Sequence, residues 1–67
     1  MGNMDKLNER IAANGVKKRA VAEAAGMTYI TFSRRMNGQG DFTTGQVVAI
    51  SKFLHLTVAE RNEIFFG

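Results

Sequence analysis

The chain has 67 residues, 45% of them hydrophobic and 22% charged, which is enough for one small domain over residues 1–67 with a modest core. There is no cysteine and only one histidine, His55, so disulfides, thiolate metal sites and histidine-rich metal sites are excluded, and no metal or cofactor is expected. The net charge is +3, and no apolar run approaches the ~18 residues that a membrane span needs.

Proline is absent, and alanine, lysine, arginine and glutamate are plentiful, which favours an all-α domain. The charge is unevenly placed. Lys17 to Arg35 holds five basic residues and one acidic one, a local net of +4, whereas Asp41 to Gly67 nets −1. A basic half beside a near-neutral half points to a polyanion-facing surface; the alternative is ordinary solvated charge. Asp5 and Lys6 interrupt any early hydrophobic region, so no signal peptide is expected. Met1-Gly2 is not a myristoylation start, because Lys6 stands where serine or threonine is required. The expected location is the cytosol or nucleoid.

The first helix is predicted over Met4 to Ala13. Met4, Leu7 and Ile11 share one face, Asn3 caps the start, and Asp5 suits the positive end of the dipole. Asn14-Gly15 stops it, and Val16 dips into the core. The second helix runs from about Lys18 to Ala25, with Val21, Ala22 and Ala25 inward. Its start is unfavourable, because Lys17, Lys18 and Arg19 crowd the end where the dipole disfavours cations. A phosphate beside them would relieve that misfit; otherwise the three extend into water. Gly26 breaks the helix, and Thr28 caps a third helix from Tyr29 to about Met36. Two helices joined this tightly must cross steeply, as in a helix-turn-helix. Phe32 and Met36 form the inward stripe of the third, leaving Tyr29, Ile30, Ser33 and Arg34 on its other sides.

Asn37 to Asp41 is a loop with two glycines. Thr43 and Gln46 have the spacing of a capping box for a fourth helix, which carries Val47, Ile50 and Leu54 inward and ends around Phe53 or Leu54. Thr57 and Glu60 form a second such box, opening a fifth helix that runs to about Phe65. His55 lies at a helix end, where it suits the dipole. The methionines read as core filler. Phe53 falls beside the inward face of the fourth helix, and Phe65 and Phe66 lie at the chain end. Such aromatics mark an interface, or the fifth helix folds back over the first and buries Phe65 and Phe66; the two outcomes are not exclusive, and at least one phenylalanine is expected in the core. No Ser/His/Asp set, carboxylate pair, phosphate-binding loop or metal cluster is present, so an enzyme is not expected.

Val21, Ala22, Gly26, Met27, Thr28, Phe32, Asn37 and Gly38, set between a first helix and an apolar fourth one, resemble the phage Cro and lambda-type repressor helix-turn-helix family (the XRE class). The resemblance covers roughly Leu7 to Val58. The short chain and its Ile64-Phe65-Phe66-Gly67 ending are similar to the small Cro-like regulators of phages of Gram-positive bacteria. It implies a five-helix lambda-repressor-like fold and a double-stranded DNA partner, with the third helix in the major groove. Tyr29, Ile30, Ser33 and Arg34 would then face bases, with Ile30 alternatively in the core. Lys17, Lys18, Arg19 and Thr28 would sit on phosphates, and Asn37 and Gln39 would add backbone contacts. Two positions depart from the family. Lys18 stands where glutamine is frequent, and Arg35 stands where an apolar or aromatic residue is frequent, so Arg35 either reaches a phosphate or marks a rotated helix. A homodimer through Phe53, Phe65 and Phe66 would place two recognition helices about one DNA turn (~34 Å) apart. The rival expectation is an antirepressor-like module that uses that aromatic end to bind another repressor.

Overall fold

The computed structural model describes residues 3–66; Met1, Gly2 and Gly67, which the one-domain and C-terminal readings include, lie outside it. Among the described residues the architecture is all-helical: α1 (Met4–Ala13), α2 (Lys18–Ala24), α3 (Tyr29–Met36), α4 (Thr44–Phe53) and α5 (Val58–Phe65). Only α2 departs from its expected end, stopping one residue early with Ala25 as its cap.

Local chemistry accounts for these bounds. The Asn3 side chain accepts a hydrogen bond from the Lys6 N–H at 3.1 Å. Thr28 caps α3 in the same way through the Thr31 N–H. Thr43–Gln46 and Thr57–Glu60 are reciprocal capping boxes, so each satisfies donors that a bare helix start leaves unpaired. At the far ends the chain repeats one device. A residue at positive φ follows the helix, and an apolar residue then folds back under it. This is seen in Gly15-Val16, Gly26-Met27 and His55-Leu56. The Met27 N–H reaches the Ala22 carbonyl and the Leu56 N–H reaches the Ser51 carbonyl, both at 2.9 Å, which closes orphan carbonyls.

His55 is the one described residue other than glycine with positive φ, at 55°. That conformation costs an ordinary residue roughly 1–2 kcal/mol, against about 0.4–1 kcal/mol that glycine adds to unfolded-state freedom. His55→Gly is therefore expected to stabilise the fold by about 0.5–1 kcal/mol, read as a higher urea midpoint at unchanged slope. A lower midpoint would mean that the imidazole makes a compensating contact.

The helices pack as α2 on α3 and α4, and α5 on α1 and α4. Leu7, Val21, Phe32, Ile50, Leu54 and Ile64 are fully buried at the centre. Asn14 ties two helix ends together, its amide donating to the Arg10 carbonyl at 2.8 Å and the Leu54 carbonyl at 3.2 Å. The Asn3 N–H donates to the Ile64 carbonyl, which joins the start of α1 to the end of α5. The acids of α5 also turn to α1: Glu60 lies 3.5 Å from Arg10, and Glu63 lies 3.7 Å from Lys6. The Thr57 backbone N–H holds the Glu60 carboxyl below its ordinary range; partial burial opposes this, and the Arg10 cation reinforces it.

Phe65 meets the expectation that at least one of these phenylalanines packs into the core. It is half-buried against the central cluster, with its ring edge-on to Phe42 at 5.6 Å, and Phe42 in turn lies 5.8 Å from Phe32. Phe65 is thus part of the fold's own packing. Phe66 remains 65% exposed and Phe53 38% exposed. Angular position explains the split, because Phe65 shares the side of α5 that carries Ile64 and Arg61, and Phe66 lies past the helix end.

Candidate nucleic-acid interface

The orientation of α3 follows from Phe32, its fully buried side chain, and from half-buried Met36 one turn on. With that stripe inward, residues two places away must face solvent. Ile30 is accordingly 64% exposed, so its core alternative is overturned. Arg34, one turn further along, is also exposed, and Tyr29 retains 41% of its surface. Ser33 is half-buried at the edge of this face.

Lys17, Lys18 and Arg19 are all exposed beside it. The Arg19 guanidinium carbon lies 5.2 Å from the centre of the Tyr29 ring. That cation–π contact links the start of α2 to the start of α3 and limits where the phenol can point. A hollow of about 90 Å³ lies where α1, α2 and α3 meet, lined by Asn8, Lys18, Tyr29, Ser33 and Asn37, with Phe32 and Met36 at its base. The structure thus brings Lys18, Tyr29, Ser33 and Asn37 together and adds Asn8. Sequence reasoning missed Asn8, because nothing local connects the outer side of the first helix with the third.

Three of the expected phosphate contacts already have partners within the chain. Arg35 lies about 100° around the helix from Arg34, bordering the buried stripe on the side away from Ser33, and its Nη1 donates to the Gln39 carbonyl at 2.8 Å. It is neither in the core nor on the face formed by Ile30 and Arg34, and it serves as a staple for the loop after α3. Gly40 makes room for it. A Cβ there would lie 2.8 Å from the same nitrogen, and φ is +101°. Thr28 is exposed, but its hydroxyl already accepts from the Thr31 N–H and bonds to the Thr31 hydroxyl at 3.0 Å, so it is engaged within α3. Gln39 is held through its carbonyl, and its side chain, like that of Asn37, is exposed.

The start of α2 differs from those of the other four helices. Lys17 occupies the cap position with φ −86° and ψ 149° and makes no side-chain cap bond. Thr28 caps α3 with nearly the same backbone, at −71° and 155°. Threonine therefore fits position 17 without strain and supplies the missing acceptor. Lys17→Thr is expected to stabilise the fold by about 0.5–2 kcal/mol, as measured by denaturant titration. An unchanged midpoint would show that water already serves those N–H groups as well as a hydroxyl does. A cation kept where a cap would stabilise is a local sacrifice of stability, of the kind sequences make at sites that bind.

Comparison with protein-family models, with curated proteins and with solved structures yields no match. Among the described residues no helix is long and apolar enough to cross a membrane.

Proposed function

We propose that the chain is a sequence-specific DNA-binding regulator, in which α2 and α3 act as a helix-turn-helix and α3 enters the major groove of an operator. The observation that carries this reading is the outward face of α3. It presents Ile30 and Arg34, exposed and unneeded by the core, with Tyr29 braced by Arg19 at its edge. An α-helix with its side chains is about 10–12 Å across, close to the ~12 Å width of the groove. Arg34 offers the planar fork that suits guanine O6 and N7, and Ile30 and the Tyr29 ring suit thymine methyls. Lys17, Lys18 and Arg19 supply cations for phosphates on one flank, with Asn37 and Gln39 on the loop that follows. Arg35 serves by shaping that loop. A lambda-repressor-like fold and the action of a Cro-like repressor, by occlusion of a promoter, are part of the same proposal.

Titration of the protein with random-sequence duplex DNA at several salt concentrations tests it. The logarithm of the binding constant should fall with the logarithm of salt by about 0.9 for each phosphate contacted. Absence of salt-dependent binding at low salt would refute the proposal. In that event the antirepressor-like reading gains, since Phe66, at 65% exposure, gives the chain end an aromatic surface for a protein partner or a second copy.

A further inference from the structure

We infer that the groove between α4 and α5 docks an acidic, apolar-flanked segment of a protein partner. The groove is open, offers about 380 Å³, and its lining includes Val48, Ser51, Lys52, His55, Val58 and Arg61. Its sign is unexpected for this half of the chain, where acids outnumber bases. The acids of α5 are turned away, Glu60 to Arg10 and Glu63 to Lys6, and no acidic residue lines the groove. Lys52 from α4 and Arg61 from α5 therefore supply its charge, and neither belongs to an ion pair among the described residues.

Two further features say what kind of group belongs there. Val58 is 64% exposed and Val48 39% exposed, so β-branched apolar side chains stand on helix surfaces where neither propensity nor core packing favours them. In addition, Ser51 is buried to within 9% of its surface, and its Oγ and the Nε of Arg61 lack hydrogen-bond partners. Both atoms are closed off from solvent, so a docked carboxylate would pair with the outer nitrogens of the Arg61 fork and not with these two. The complementary occupant carries an aspartate or glutamate between apolar side chains, the acid meeting Arg61 and Lys52 and the apolar groups meeting Val48 and Val58.

A second copy docked on a two-fold axis would set Lys52 and Arg61 near their own symmetry mates, with the α5 acids already paired elsewhere. A DNA backbone would leave the two valines against phosphate. The groove shares no lining residue with the α2–α3 face, so the inference does not rest on DNA binding.

Selection of binders from a random linear peptide library against the whole chain tests it, followed by fluorescence titration of the most enriched peptide. Enriched peptides should pair acidic with aliphatic or aromatic residues. Val58→Ser, at an exposed position, should weaken the chosen peptide at least about tenfold with melting unchanged, and Lys52→Gln should do the same. Replacing the peptide's acids by amides should abolish binding, and Arg34→Ala should leave it intact. Peptides without acidic bias, or peptides indifferent to Val58→Ser and Lys52→Gln, would overturn the inference. So would sedimentation showing a dimer that Val58→Ser disperses, or duplex DNA whose affinity falls with Lys52→Gln and which displaces the peptide.

Discussion

Phe32→Ala is expected to leave little folded protein. Phe32 is fully buried, is the buried residue of α3, and lies 5.8 Å from the Phe42 ring, which itself abuts Phe65. Removing an aromatic ring from such a site costs about 3–5 kcal/mol. A domain of 67 residues has only about 3–10 kcal/mol to lose, at roughly 0.05–0.15 kcal/mol per residue. Far-UV circular dichroism with urea titration reads the result directly. Phe32→Leu keeps most of the volume and should cost less, on the order of 1–2 kcal/mol, retaining a cooperative transition. A Phe32→Ala protein that melts cooperatively near the parent would show that α3 is held by something other than its inward stripe. The same residue aims the outer face of the helix, so folding and the candidate interface depend on one side chain.

The helix bounds were legible in the sequence because they are set by local chemistry. Asn3, Thr28, Thr43 and Thr57 cap where their spacing says they should, and Gly15 and Gly26 end helices by the conformation only glycine takes easily. The exposure of Arg34 followed from the Phe32–Met36 stripe, and Ile30 stayed ambiguous only because apolarity and angular position pull opposite ways. What escaped was non-local. Phe42 sits in the connection between α3 and α4, outside any helical period, yet it bridges Phe32 and Phe65. Arg35 looked like a misfit in the family pattern because its partner is the Gln39 carbonyl, set by backbone angles that a residue string does not encode. The Arg19–Tyr29 contact joins two helices whose angle only the fold defines. Charge counting misjudged the C-terminal half for the same reason. A net of −1 hides a cationic groove once Glu60 and Glu63 are committed to α1.

Arg34→Ala and Lys18→Ala should weaken DNA binding in different ways, and the contrast separates reading from holding. Both side chains are exposed and outside the ion pairs of the described residues, so neither change should move the urea midpoint by more than about 0.5 kcal/mol. Arg34, on the outward face of α3, should cost about 1–3 kcal/mol against the preferred base pair and little against others, flattening preference at one or two positions. Lys18, at the α1–α2–α3 junction, should weaken every sequence alike and lower the salt slope by about 0.9. Arg34→Lys sharpens the test, because it keeps the charge and loses the planar two-pronged donor. Under base reading it behaves like the alanine variant in sequence preference and like the parent in salt slope. Under a phosphate role it restores binding to all sequences together. Binding-site selection from a random DNA pool, run on the parent and the three variants, gives both quantities, and two-fold symmetry in the selected sites would show that the chain binds as a pair. Equal loss across sequences for Arg34→Ala and Lys18→Ala would take base reading away from Arg34 and leave Tyr29 and Ile30 as the readers on that face.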